Sequence, residues 1–179
     1  MTNSLVAAAI DAFQANKFLA DRAAAQVSDE ALRISLDVHT NSIAVIMKHV
    51  SGNLVSRWTD FLTTDGEKSN RDRDSEFLDT FASRHEIIAC WEIGWSCLFT
   101  TLSELRDEDL NQIITIRGVP HPVPLAITRS LGHTCYHVGQ IVQLARHHAG
   151  DCWQTLTIPR GASKEFNEHN WGQRGRAPS

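Results

Sequence analysis

Proline is absent until Pro120, occurs again at Pro122 and Pro124, and is found afterwards only at Pro159 and Pro178. Proline removes a backbone donor and its ring clashes with the preceding helical turn. This distribution therefore permits long helices on both sides of one short interrupted segment and disfavours them inside it. Hydrophobic spacing fills those permitted stretches. Ser4 to Gln26 is Ala-rich and free of Gly and Pro, with Leu5, Ala9, Ala12, Phe13 and Ala20 available to one face. Asn41 is placed to cap a second helix in which Ile43, Ile46, Val50, Leu54, Trp58 and Phe61 recur at steps of three and four.

Between Asp65 and Glu76, eight of twelve residues are charged, and Gly66 and Asn70 are included, so this stretch is expected to be a solvated connection. A third helix is expected along the seam Phe77, Phe81, Arg84, Ile88, Trp91, Trp95, Leu98, Leu102 and Leu105, with Arg84 as its one polar member. Its aromatic weight is that of a core face rather than a cofactor box. Ile113, Ile114 and Ile116 ahead of Arg117-Gly118-Val119-Pro120 predict a short extended or hairpin excursion over one end of the helices. A fourth helix should run from near Pro124 to about His148, with Gly150 as its stop. Four long helices without a convincing sheet predict an all-α protein, most economically a four-helix bundle. The expected organisation is one domain over residues 1–161 and a polar C-terminal tail over 162–179.

Composition narrows the function classes. Seventeen Lys and Arg against twenty-one Asp and Glu give a net charge of −4, which supplies no field for gathering nucleic acid over a broad surface. The apolar stretch Leu5 to Ile10 is closed by Asp11 and no Lys or Arg precedes Lys17, so neither a membrane span nor a secretory signal is expected. Cys90 and Cys97 would lie two helical turns apart, beyond the reach of a disulfide, and with Cys135 and Cys152 they fit a reducing, cytoplasmic setting.

Nine histidines are the chemical surplus. His133 and His137 stand four apart in the fourth helix, about 40° apart around its axis and about 6 Å along it, so both rings can reach one ion. Ala126, Ser130, His133, His137, Ile141 and Leu144 share one stripe, which turns the pair toward the interior. The residues between them are Thr134, Cys135 and Tyr136, so the Glu of an H-E-x-x-H peptidase motif is missing. Cys135 points about 200° away and is a poor third ligand. His49, between Ile46 and Asn53 on the inner flank of the second helix, is the best candidate for one. Three neutral imidazoles would leave a divalent ion with an open coordination position, the arrangement of a catalytic rather than a closed structural site. The alternative is three satisfied core histidines. His147 and His148 suit a helix C-terminus, His39 and His169 are expected at the surface, and His85 and His121 are expected there too, with pocket lining as the alternative.

Several stretches together resemble the DinB/YfiT-like superfamily, in particular its branch of DUF-labelled bacterial proteins. They are Ile46-Met47-Lys48-His49 with Asn53-Leu54, Arg57-Trp58-Thr59-Asp60-Phe61, Thr64-Asp65-Gly66-Glu67-Lys68, His133 through Gln140, and Thr157-Ile158-Pro159-Arg160-Gly161 followed by Phe166-Asn167. The resemblance covers nearly the whole chain. It implies an up-down-down-up four-helix bundle, frequently dimeric, in which one His of the second helix and an H-x-x-x-H pair of the last bind a divalent metal. Those positions are His49, His133 and His137. It also implies either a thiol-dependent S-transferase, using a thiol such as bacillithiol, mycothiol or glutathione, or a metal-dependent hydrolase.

The resulting expectation is one divalent metal per chain, zinc or nickel ahead of iron or manganese, since imidazole tolerates several metals. The function expected is a thiol S-transferase acting on a small molecule, with a hydrolase or a non-catalytic metal-binding stress protein as alternatives. Gln140 could orient a ligand or substrate, with packing as its alternative. Arg57 and Arg84 could bind the carboxylates of a thiol cofactor, or form surface or inter-helix ion pairs. A homodimer is expected from the long aromatic seam and the polar tail. No catalytic base is assigned.

Overall fold

The structure, a computed structural model, describes residues 4–172. These are mostly helical: α1 Ser4–Ala24, α2 Ile43–Trp58, α3 Arg84–Glu104, the strands β1 Ile113–Ile116 and β2 Val119–Pro122, α4 Val123–Ala149 and the short α5 Ser163–Asn170. α2 packs most extensively on α3 and α1 on α4, while contacts of α2 with α4 and of α1 with α3 complete the set. Side-chain pairs give the directions. Phe13 meets Trp95 edge-on at 6.2 Å, Lys17 Nζ lies 2.6 Å from Glu92, and Arg84 donates to the Ala24 carbonyl, so α1 and α3 are antiparallel. Ser51 bonds the Cys90 carbonyl and Thr101 bonds that of Trp58, so α2 and α3 run the same way. His49 faces His133 and His137 while Trp58 Nε1 donates to Ser130 Oγ, which sets α4 against α2.

The shared interior is aromatic and aliphatic. Phe13, Trp58, Trp91, Trp95, Leu98, Leu102 and Ile141 are essentially inaccessible to solvent, and each such side chain contributes on the order of 1.5–3 kcal/mol by leaving water. Gly94 permits the closest helix approach: a Cβ there would stand 2.6 Å from the Ser51 Cα of α2.

Three boundaries differ from the sequence expectations. Ser42, not Asn41, caps α2, its hydroxyl accepting from the Val45 N–H at 3.3 Å. The helix stops at Trp58, and Asp60 takes a left-handed φ of 47°, yet Phe61 still folds back to stack on Trp58 at 4.7 Å. The third helix begins at Arg84 under a Ser83 cap and not at Phe77. Phe77 belongs instead to a 3-10 turn, Asp74–Phe77. Lys48 of α2 ties this turn down: its ammonium takes the Ser75 and Leu78 carbonyls at 2.8 and 2.9 Å, and the Ser75 carbonyl also accepts from the Leu78 N–H that closes the turn.

The excursion before α4 is a hairpin pairing Ile113 with Pro122 and Ile116 with Val119. Its two turn residues, Arg117 and Gly118, have φ of 55° and 72°, as a type I′ connection requires. The region beyond Gly161 carries α5, a helix that polarity alone did not suggest, and residues 173–179 of the expected tail lie outside the described residues. No helix among the described residues is long and apolar enough to cross a membrane.

Candidate metal centre

α2 presents the buried His49 to the middle of α4, where His133 and His137 occupy successive turns of one face. A ligand atom from each of the three rings can be chosen so that all lie within 4.8 Å of one another. The ring centroids are 5.4 Å apart for His49 and His133, 5.0 Å for His49 and His137, and 4.6 Å for His133 and His137. Cys135 is exposed, as its place two steps along the helix requires.

Two of the rings are oriented from outside. His49 Nδ1 donates to Glu76 Oε2 at 2.9 Å, which leaves its Nε2 lone pair for the cluster. Burial opposes ionisation of Glu76, but hydrogen bonds from His49 and Arg71 and the Arg71 charge outweigh it, so the carboxyl titrates below its ordinary value. His137 Nδ1 donates to Gln140 Oε1 at 2.8 Å. The third ring, His133, keeps a buried Nδ1 with no partner among the described residues. Burial, and then the proximity of His137, His49, Arg57 and Arg71, push its pKa down to about 3. Burial and His49 likewise lower that of His137, against the raising effect of Gln140. All three features suit neutral imidazoles around a cation: clustered nitrogens, two with their outer N–H engaged, and one orphaned.

The charged connection proves to be part of this centre. Ser69, Asn70, Asp72, Arg73 and Asp74 are exposed, as expected of a solvated connection, but the segment also lies across α2 and delivers Glu76, which is buried, and Arg71, whose side chain is 5% exposed. Arg71 grips Glu76 through two nitrogens at 2.7 and 2.8 Å and reaches Glu67 at 3.2 Å. Glu67 also accepts from Arg57 and Arg117, both at 3.0 Å. The charges of these five residues are thus spent on one another, while Asp72, Arg73 and Asp74 stay exposed. Ser56 holds the start of the segment through the Gly66 carbonyl and the Lys68 N–H, and Lys48 holds its end. Gly52, one turn after His49, makes the room: a Cβ there would overlap the Glu76 carboxylate. Phe77 stacks on the His49 ring at 4.7 Å and closes that side.

Beside the triad lies a cavity of about 190 Å³. His49, His133, Asn53, Trp58, Phe61 and the hairpin residues Ile114 and Ile116 line it, together with the arginines Arg57, Arg71, Arg73, Arg117 and Arg129. Arg57 therefore reaches the site, although its guanidinium is bonded to Glu67 and to the Gly66 carbonyl. Arg84 does not. It sits at the start of α3, donating to Asp29 and to the Ala24 and Val27 carbonyls at the end of α1, where it completes a helix terminus.

Of the remaining histidines, His39, His85, His147 and His169 are exposed. His148, in the last turn of α4, is half-buried, with Nε2 unpartnered among the described residues. His121 departs from its expected surface position. It is buried on β2, donating from Nδ1 to the Val119 carbonyl at 2.8 Å and accepting from Arg129 at Nε2, 2.7 Å away. The pattern of prolines around it concealed a strand whose side chain points under the hairpin.

Sequence reasoning found the triad but not Glu76, Arg71 or Gly52. The available signal was Gly52 itself, because a glycine inside an otherwise apolar helix costs about 1 kcal/mol relative to alanine and so marks a close approach. A family model described as a protein of unknown function, DUF1572, matches residues 1–162. No curated protein and no solved structure gives a significant match. The chain belongs to the DUF1572 family.

Proposed function

We propose that this DUF1572 member is a DinB-like metalloenzyme in which His49, His133 and His137 hold one divalent ion and the adjoining cavity joins a low-molecular-weight thiol to a small electrophile. The observation that carries this reading is the convergence of three imidazoles within 4.8 Å, with Glu76 and Gln140 fixing the outer nitrogens of two of them. The helix directions support it: α1 antiparallel to α3, α3 along α2 and α4 against α2 is compatible with the proposed up-down-down-up four-helix bundle. Zinc or nickel is the expected ion, ahead of iron or manganese.

When bound, such an ion supplies Lewis acidity that lowers the pKa of a thiol or a water. The protein's own part is positional. Glu76 and Gln140 set the ring orientations, Phe77 shields His49, and Trp58, Phe61, Ile114 and Ile116 give the cavity an apolar wall. Thiol addition is favoured over hydrolysis because no free carboxylate lines the cavity. Glu76 is committed to His49 and Arg71 and is held ionised by them, and Glu67 is shared by three arginines. An amide hydrolase needs a base for water and a donor for the leaving amine, whereas a thiol acidified at the site would release its proton to solvent and attack as the thiolate, the electrophile's leaving group departing as an anion that needs no protein donor.

Protein purified without a His tag should contain close to one divalent ion per chain and lose it on His49→Ala or His133→Ala. Light scattering of the same preparation is expected to give a homodimer. The loaded protein should conjugate bacillithiol, mycothiol, glutathione or coenzyme A to test electrophiles, and His137→Ala should not. Wild-type metal content in the two alanine variants would overturn the ligand set. Ester or amide hydrolysis without conjugation would transfer the site to the hydrolases.

A further inference from the structure

The cavity beside the triad gathers positive charge in a chain whose net charge is −4. Five guanidinium groups line it, and among the described residues the acidic groups bonded to them are Glu67 and Glu76. Those two carboxylates are divided among Arg57, Arg71 and Arg117, and Glu76 also serves His49. Arg73 and Arg129 are left over. Among the described residues neither has an acidic partner: Arg73 lies over the Phe77 ring at 5.0 Å, and Arg129 donates to the neutral acceptor His121 Nε2.

These two contacts hold the guanidinium groups in place without neutralising them. His121 is well suited to this, because its Nδ1–H is committed to the Val119 carbonyl and Nε2 is consequently an acceptor. Phe77 stacks on His49 with one face and carries the Arg73 cation beside it, which places that charge next to the triad. A planar guanidinium with free N–H groups matches the paired oxygens of a carboxylate or phosphate. Arg73 and Arg129 are both exposed, so solvent and salt screen such a pair, and its selectivity comes from the bidentate geometry.

We infer that the cavity is an oxyanion-binding substrate pocket, in which Arg73 and Arg129 bind a carboxylate or phosphate of a small molecule and direct its reactive end toward His49 and His133. This rests on the cavity being the substrate site of the proposed enzyme, and it names the substrate class as anionic. For Arg57 and Arg84, which the sequence offers either for carboxylate binding or for ion pairs, the structure has the ion pairs. The first is engaged by Glu67, and the second, at the start of α3, bonds Asp29 and the Ala24 carbonyl away from the cavity.

Calorimetric titration of succinate and, separately, inorganic phosphate into metal-free protein tests the pocket independently of the ion. Binding of at least one is expected, weakening as sodium chloride is added. Arg129→Gln and Arg73→Gln should each weaken it about tenfold, the scale of one charge-assisted contact, while the exposed Arg160→Gln leaves it unchanged. Circular dichroism checks that each variant is folded. If Arg129→Gln disturbs the hairpin through His121, Arg73→Gln alone carries the test, its side chain being held only by stacking. The ratio of succinate to phosphate affinity identifies the preferred oxyanion. Absence of binding by both anions, or equal binding in both cavity variants and wild type, overturns the inference. Metal content measured on the same variants should match wild type, so failure of the anion pocket and failure of the histidine site are read separately.

Discussion

Where α1 packs on α3, the contact is built from Phe13, Trp91 and Trp95, and the charges lie at its margin: Asp21 accepts from Trp91 Nε1 and pairs with Lys17, which also reaches Glu92. Where α2 faces α4, the interior contains His49, His133, His137, Ser130 and Asn53, backed by the carboxylates and guanidinium groups of the 65–76 connection. Both regions belong to one continuous core. The first follows the rule that apolar area drives burial and polar groups stay at the rim, with the buried Trp95 Nε1, unpartnered among the described residues, as an exception. The second buries groups that gain little from folding, and it leaves a ring nitrogen and two cations without full partners. A helical assembly can tolerate such a face only when other faces supply the stability, and that division is open to measurement.

The largest expected effect is on the aromatic face. Trp91→Ala should destabilise the metal-free protein by about 3–5 kcal/mol, since it removes a fully buried indole and leaves a cavity. His133→Ala should cost less than about 1 kcal/mol in the same urea titration, because the residue removed is only half-buried and brings an unpartnered nitrogen with it. On adding zinc or nickel, the order should reverse in sensitivity, with wild type and Trp91→Ala stabilised by the ion and His133→Ala not. Equal losses in the metal-free state would dissolve the distinction between the two faces.

Two glycines of neighbouring helices sharpen it. At Gly94 an added methyl meets the Ser51 backbone, and at Gly52 it meets the end of the Glu76 side chain. Gly94→Ala should therefore lower stability by about 1–3 kcal/mol through overpacking and leave metal affinity nearly unchanged. Gly52→Ala should cost less stability, because alanine restores helix propensity and a side chain yields more readily than backbone. Its effect belongs to the site: displacing Glu76 releases the His49 ring, and metal affinity should fall by about 10–100-fold. Isothermal titration with the metal, beside thermal melts of both variants, separates the two. Unchanged affinity in Gly52→Ala would show that the Glu76 bond does not orient His49.

The same contrast governs what could be read in advance. Ile43, Val50, Leu54, Trp91, Trp95 and Leu98 announce their helices because apolar periodicity records burial directly, and the spacing of His133 and His137 records a shared face in the same way. The connection defeated that logic. Its charge density signals solvent only if charges are assumed to face water, whereas Arg71, Glu67 and Glu76 satisfy one another and so can be buried together. Phe77 misled in the opposite sense: it keeps the seam's rhythm but is packed by stacking on a histidine, with its backbone carbonyl neighbours claimed by Lys48. Which arginines lack acidic partners is a property of pairing across loops, which no linear spacing encodes.

A further effect, one that changes only at acid pH, concerns Asp65, which joins the connection to the hairpin and so supports the polar face alone. Its carboxylate accepts from the Gly118 and Arg117 N–H groups, both at 2.8 Å, and from the Glu67 N–H at 2.7 Å, holding a turn in which Arg117 has a left-handed φ. Those bonds, led by Gly118 and Glu67, keep its pKa well below the ordinary aspartate value. The unfolded chain therefore takes up a proton near pH 3.8, the ordinary value, that the folded chain refuses until lower pH. The contribution is fully present above that pH and shrinks as the solution is acidified through it. Asp65→Asn keeps the shape and an accepting oxygen but loses the charge, so at pH 7 it should cost on the order of 1 kcal/mol once the exposure of the group is allowed for. Urea midpoints of both proteins at pH 7, 5, 4 and 3 should show a constant difference at the first two values and a narrowing one at the last two. Glu67 and Glu76, also held below their ordinary values, weaken both proteins alike as the pH falls, and the difference between the curves isolates Asp65. A difference that persists undiminished at pH 3 would mean that the amide, not the missing charge, disturbs the turn, and that the hairpin depends on shape rather than on this carboxylate.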